Sequence, residues 1–317
     1  MRHFFRRAVL LPAAVLLAAA TACSSTDSLG TSSAEEPEIG EIQTLTTTAG
    51  LAFPLDAYEL DYRDKAKLEA AQSALVKQCM ARYGLDYQPP APLPPSGRKP
   101  NARVFGLVDA AEAARSGYAT PGGPPPPRPA EQRLSSIAQR VLAGGNEWND
   151  PASLPMSQTE AEKAPPGKLK VNDKPVPTGG CGREAYLKLH APKAGSIDIL
   201  YVFNLKAEAE ARMRTDSRVI AVNKNWAACM KDAGYRTTDP RTVVDQLGLN
   251  QSTLSGPNAV SAAMKDVACK QKVKLPGVWF AVASAYQEQS IDKNAETLER
   301  FRTQTQEKLK LAAHLIN

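Results

Sequence analysis

Two sets of residues in this 317-residue sequence have types and spacings that could do chemistry: five cysteines and a very few histidines. Cys79, Cys181, Cys229 and Cys269 form an even set with separations of 102, 48 and 40 residues, while Cys23 stands apart. Zinc sites bring thiolates and imidazoles together at short spacings such as C-x-x-C. No C-x-x-C occurs, and the only histidines after residue 22 are His190 and His314, so no metal and no cofactor is expected. Nucleophilic catalysis needs a base beside the nucleophile. His190 precedes Ala191-Pro192, and His314 falls in a final helix turn where a cation suits the helix dipole, so neither reads as that base. Carboxylate pairs could cleave a glycan without histidine. Glu208 and Glu210 face apart on a helix, however, and Glu296 with Glu299 at i, i+3 reads as a solvated face. Neither G-x-x-x-x-G-K nor a strand-linked G-x-G-x-x-G is present, which leaves nucleotide chemistry unsupported.

Two cysteines sit in matching words, Cys79-Met80-Ala81-Arg82-Tyr83-Gly84-Leu85 and Cys229-Met230-Lys231-Asp232-Ala233-Gly234-Tyr235. Each word closes a helix. Leu68, Ala71, Leu75, Cys79 and Tyr83 recur every three or four residues, as do Val219, Val222, Trp226, Cys229 and Ala233, which puts each cysteine on a buried stripe. Gly84 and Gly234 fit the left-handed position past a helix end, with Leu85 and Tyr235 as the apolar partners of the cap. One further cysteine follows each of these helices. Three pairings of four cysteines are formally possible, and pairing within each half, Cys79 with Cys181 and Cys229 with Cys269, is the expectation in an oxidising compartment.

That compartment is read from the start of the chain. Arg2, Arg6 and Arg7 precede an apolar run from Ala8 to Ala20, too short to span a bilayer comfortably and typical of an export signal over residues 1–22. The run ends Ala20-Thr21-Ala22-Cys23 and turns at once to Ser24-Ser25-Thr26-Asp27. This junction resembles the lipobox of bacterial lipoproteins, with Ala20 where leucine is usual. The resemblance implies a diacylglycerol on the Cys23 thiol, cleavage before Cys23 and acylation of the freed amine, hence a membrane partner held through acyl chains such as palmitate. Arg6-Arg7-Ala8-Val9-Leu10 also resembles a twin-arginine export motif, with Phe5 where serine or threonine is usual, so the export route stays open. Loss of the leader lowers the formal charge from +6 to +3, a poor match to nucleic acid.

The paired C-M-x-x-x-G words with their following cysteines, together with Arg103-Val104-Phe105-Gly106-Leu107, Asp109 to Gly117-Tyr118 and Glu296 to Leu298, resemble a group of uncharacterised secreted or lipid-anchored proteins of high-GC Gram-positive bacteria. The resemblance covers most of the chain after the leader. It implies export and disulfides, and no mechanism.

The elements that must position these residues are helical. Residues 23–55 are polar, rich in Ser and Thr with Glu35, Glu36, Glu38 and Glu41, and read as a flexible tether. Residues 56–317 form the domain, whose 43% apolar content for the whole chain supports one modest core. Eighteen of the 25 prolines fall between Pro89 and Pro177, marking an irregular insertion over about residues 88–180. Two helices are predicted inside it, one capped by Asp109 and stopped at Gly117, the other over Leu134 to Leu142. Ile197 to Met213 and Ser217 to Ala233 read as helices that could join into one kinked element. Asp239-Pro240 reads as the start of a helix carrying Val243, Val244 and Leu247, and two long helices close the chain around Trp279, Tyr286, Leu298, Phe301 and Leu309. The expected class is therefore all-α, stapled by two disulfides.

Partner contact is assigned to two places. Trp148 lies in the Pro-rich insertion, either tucked onto the helical core or exposed for a partner, and Lys270, Lys272 and Lys274, with Lys265, crowd around Cys269 where they could meet an envelope protein or an anionic wall polymer. A solvated face is the plainer reading of these lysines, and a packed core is the plainer reading of Trp226, Trp279 and Phe280. The function expected is a lipid-anchored, non-enzymatic binding or accessory module of the cell envelope. A carboxylate-dependent wall-glycan enzyme and a transporter-associated solute receptor are the alternatives.

Overall fold

Several helix starts coincide with side-chain caps supplied by the sequence. The computed structural model describes residues 36–90, 99–120, 132–145 and 151–316, so that Cys23, the leader before it and Trp148 lie outside the described residues. In α1 (Tyr62–Ala81) the Asp61 carboxylate accepts from Asp64 N at 2.8 Å, and in α2 (Ala110–Ser116) Asp109 accepts from Glu112 N at 2.8 Å. Ser135 caps α3 (Ser136–Ala143) and Ser157 caps α4 (Gln158–Ala161) in the same way. A two-stranded antiparallel hairpin, β1 (Lys170–Val171) and β2 (Lys174–Pro175), turns through Asn172 and Asp173, both at positive φ. The chain continues through α5 (Gly180–His190), α6 (Tyr201–Thr215), α7 (Ser217–Asp232), α8 (Val243–Gln246), α9 (Pro257–Lys272), α10 (Leu275–Lys293) and α11 (Ala295–Ile316). Eleven helices and one small hairpin among the described residues make the class all-α.

Both C-M-x-x-x-G words end their helices by the same device. Gly84 N–H donates to Ala81 O at 3.0 Å and Leu85 N–H to Met80 O at 3.2 Å, while Gly234 N–H donates to Lys231 O at 3.0 Å and Tyr235 N–H to Met230 O at 2.9 Å. This doubled closure is the Schellman motif, which needs a left-handed residue; φ is +70° at Gly84 and +91° at Gly234.

Each word belongs to its own core. One core gathers Trp226, Met230, Val267, Trp279 and Val282 from α7, α9 and α10, with the disulfide Cys229–Cys269 (Cα–Cα 5.7 Å) in its wall. The other gathers Leu75, Met80, Val141, Ala185 and Leu189 from α1, α3 and α5 around Cys79–Cys181 (Cα–Cα 5.5 Å). Leu55, Val202, Leu205, Leu298 and Phe301 form a third cluster. α11 starts in the third cluster at Leu298 and ends in the second at Ala312, and along its length it packs against α1.

Four expectations need correction. The segment from Pro37 to Phe53, assigned to the tether, packs on the domain: Ile39 and Leu51 touch the first core, and Phe53 stacks edge-on with Phe105 at 5.9 Å and with Phe280 at 5.1 Å. Its polar composition hides this because contact is made by a few widely spaced apolar groups and by backbone, as where Gln43 O lies against Gly277. Second, the described parts of the Pro-rich insertion are core material. Phe105, Leu107, Val108, Ala113 and Tyr118 join the first core, where α2 packs on α9. Third, α6 begins at Tyr201 rather than Ile197, since Asp198 takes Leu200 N at 2.7 Å in a turn, and α6 and α7 are separate helices that break at extended Asp216 (ψ 134°). Fourth, α8 begins after Thr242. Asp239 instead holds a turn by accepting from Arg241 N at 2.9 Å.

Candidate functional site

A concavity of about 690 Å³ opens where the third core cluster meets α1, α5 and α11. α1 contributes Lys65, Leu68, Glu69, Gln72, Ser73 and Val76, a single stripe at helical spacing beside the one that carries Leu75 and Cys79 into the core. α11 contributes Phe301, Thr305 and Lys308, at i, i+4 and i+7, and α5 contributes its last residue, His190. A 3₁₀ turn over Pro54–Tyr58 and the residues after it supply Tyr58, Glu59 and Leu60. The rim is apolar and in water: Ile199 is 41%, Leu200 53% and Phe203 64% exposed. These three large apolar residues, close together in one turn and helix start, make an exposed apolar patch beside the cleft.

Two basic side chains are buried against this cavity. Lys308 is 5% exposed, yet its amine has neither a hydrogen bond nor an ion pair among the described residues. Its stem runs back along α11 so that Nζ lies 6.0 Å from the Phe301 ring centroid, a cation placed over one wall of the cavity. Burial pulls the amine below the usual lysine range, and the charge of Asp198 opposes that pull. His190 Nε2 lies 3.0 Å from Gln72 Oε1, its ring stacks tilted on Tyr186 at 5.1 Å, and its Nδ1 is buried without a partner. Burial first, and then the Lys308 charge, push the imidazole down to about 4, against Asp198, so at neutral pH it is uncharged.

At the mouth Glu59 is neutralised, its carboxylate lying 2.7 Å from Lys206 and 3.9 Å from Lys65. Lys206 also holds Asp56 at 2.6 Å, which with the Phe53 N–H and Asn101 overcomes the upward push of burial and keeps that carboxyl below its usual range. Chemically the site is an apolar cleft with one unpaired lysine amine in its lining. The hydrogen bond made by His190 goes to an amide, so it is not set up to draw a proton from Ser73, which also lines the cleft.

The residues singled out from the sequence lie elsewhere. Lys272 and Lys274 are exposed after Cys269. Lys270 is not: it is 1% exposed, with Nζ 3.0 Å from Asp266 Oδ2 and 3.0 Å from Leu107 O, so it is withdrawn as a partner contact. The helical period explains the difference, because position 270 continues the buried face of Ala263, Asp266 and Val267. Cys23 and Trp148 lie outside the described residues. Trp226 and Trp279 are core residues whose indoles donate to Asp266 and Asn223 at 2.9 and 3.0 Å. Among the described residues no three His, Cys, Asp or Glu side chains gather as metal ligands would.

Lys308 was missed, although the sequence carries a signal for it. Leu298, Phe301, Thr305, Lys308, Ala312 and Leu315 run at three- and four-residue spacing, and a lysine within such a stripe has its stem drawn into the packing. Placing Leu309 on the stripe instead hides it. Comparison of the chain with protein-family models, with curated proteins and with solved structures finds no match in any of the three.

Proposed function

We propose that this chain is an extracytoplasmic binding protein, held at the membrane by acyl chains on Cys23, that takes a small, largely apolar ligand into the cleft between α1, α6 and α11. The observation that carries the reading is the cleft itself. Its volume of about 690 Å³ is of the size that encloses a drug-sized molecule, and its walls are mostly apolar with a few polar groups to fix orientation. The two disulfides fit an oxidising compartment outside the cytoplasm, and the leader and the Ala22-Cys23 junction supply the route and the anchor. No described helix is long and apolar enough to cross a membrane, so attachment in this reading rests on the acyl chains.

The test is to purify the full chain from the membranes of a host that processes lipoproteins. A palmitate analogue added to the culture should label the wild-type chain and not Cys23→Ala, and organic extraction should release one class of small molecule in near-stoichiometric amount. Purified chain that carries no such molecule, binds no neutral apolar dye such as Nile red, and instead liberates soluble fragments from cell walls would sink the reading in favour of a wall enzyme.

A further inference from the structure

We infer that the ligand of this cleft is a single-chain amphiphile with a carboxylate head, the head paired with Lys308 and the chain laid along Phe301 and Val202 to the rim at Leu200 and Phe203. The inference rests on the reading of the cleft as a binding site and adds the ligand's chemistry to it. A lysine whose side chain is almost wholly packed away is, in folded proteins, almost always paired. Lys308 is 5% exposed, with its stem packed away and its amine the part left open to solvent, lines the cleft, and has no acceptor among the described residues. Asp198 acts on it only at longer range, since no ion pair joins them within 4.0 Å. An incoming carboxylate supplies the missing acceptor.

The number of charges points to a carboxylate rather than a phosphate. The inner lining offers one unpaired amine beside an uncharged imidazole, and no arginine lines the cleft among the described residues, whereas phosphate groups are met by several donors or by the bidentate fork of arginine. At the mouth Lys65 and Lys206 are already taken up by Glu59, so they offer no free cation to a second anionic group on the ligand. A thin apolar chain suits the rest. Leu68, Val76, Val202 and Phe301 wall the interior, and the rim of Ile199, Leu200 and Phe203 extends the same apolar surface out into solvent.

The experiment compares saturated carboxylates of ten to sixteen carbons with the alcohols of equal length, by displacement of Nile red from the full chain carrying Cys23→Ser. The wild-type cleft should prefer the carboxylate by at least about tenfold, the worth of a charge-assisted hydrogen bond. Lys308→Met, which removes an unpaired charge and keeps the volume, should abolish the preference while still binding the alcohol; Lys308→Arg should retain it. Equal affinity for acid and alcohol in the wild type, or a preference that survives in Lys308→Met, overturns the inference. Nile red bound with no preference leaves the binding-site reading standing and the carboxylate refuted, whereas no binding of dye, acid or alcohol refutes both. The acid is delivered once from phosphatidylcholine vesicles and once from albumin, which separates a membrane source from a dissolved one, and uptake from either with the stated preference supports the inference.

Discussion

Lys270 Nζ lies 3.0 Å from Asp266 Oδ2 with both side chains almost wholly out of water, one turn apart on α9. The pair is the centre of a network that ties three segments together. Asp266 also accepts from Trp226 Nε1 on α7 at 2.9 Å and from the Tyr118 hydroxyl after α2 at 3.3 Å, and Lys270 reaches Leu107 O. Burial pushes the Asp266 carboxyl up, and Lys270, Trp226 and Tyr118 pull against it. Burial also raises the Tyr118 phenol, and the adjacent carboxylate adds to that, so the phenol stays a donor.

Breaking such a pair is much worse than removing it. Lys270→Met leaves a buried carboxylate without its cation and should lower unfolding stability by about 3 to 5 kcal/mol. Adding Asp266→Asn should recover much of that loss, because the amide oxygen still accepts from Trp226 while the charge is gone. Denaturant unfolding of the two single variants and the double variant measures the coupling. Losses that simply add would show that the two side chains do not act as a pair.

Each disulfide should contribute separately. Replacing Cys79 and Cys181 by alanine, or Cys229 and Cys269, should each cost about 2 to 5 kcal/mol, since closure of a long loop restricts the unfolded chain. Non-reducing peptide mapping should recover the Cys79 peptide joined to Cys181 and the Cys229 peptide joined to Cys269. Recovery of Cys79 joined to Cys229 would contradict the two-core arrangement.

The sequence was most legible where a signal is local. Paired C-M-x-x-x-G words, Asp109 ahead of its helix, and the stripe of Trp226 and Cys229 each depend on a few neighbouring residues, and the helices they predict are present. It was least legible where meaning depends on distant partners. Lys270 and Lys272 are alike in type, and although the helical period sets them on different faces, it is the approach of Leu107 and Tyr118, some 150 residues upstream, that covers the first while the second stays in water. The candidate cleft is of this second kind, for its walls come from α1, α5, α6 and α11, and no short motif records their meeting. His190 was weighed as a lone histidine without context, and that context is Gln72 and Lys308, both more than 100 residues away in the chain.

Two glycines at similar φ should tolerate alanine very differently. At Gly84 (φ +70°) a Cβ meets open space, so Gly84→Ala should cost only the left-handed backbone strain, about 1 to 2 kcal/mol. At Gly180 (φ +79°) a Cβ would lie 2.3 Å from Gly144 N and 2.5 Å from Leu142 O, where the end of α3 crosses the start of α5. Gly180→Ala must therefore push two backbones apart beside Cys181 and should cost well above the Gly84 variant. Thermal unfolding of the two variants under matched conditions checks the order, and equal shifts would mean that α3 does not rest on α5 there.

Acid should destabilise the fold through His190 before it does so through the carboxylates. The unfolded imidazole takes a proton near 6.5, whereas in the folded chain burial and Lys308 hold protonation down to about 4. Between these values the unfolded chain binds more protons, so stability falls as pH falls. The contribution is complete above 6.5 and spent by about 4, and for a partly buried group it amounts to about 1 to 3 kcal/mol. The groups that face the ring are Gln72 from α1, Tyr186 on its own helix, Lys308 from α11 and Asp198 from the loop before α6, and of these Asp198 works in the opposite direction. Asp56, Glu184, Asp216 and Asp239 hold their carboxyls below the usual range, because hydrogen bonds and ion pairs outweigh burial, so their losses begin only at more acid pH. Urea unfolding of wild type and His190→Gln between pH 7.5 and 4.0 should show a slope in the wild type that the variant lacks (a range of roughly three pH units around the two protonation points). A slope retained in full by His190→Gln would place the titrating group elsewhere.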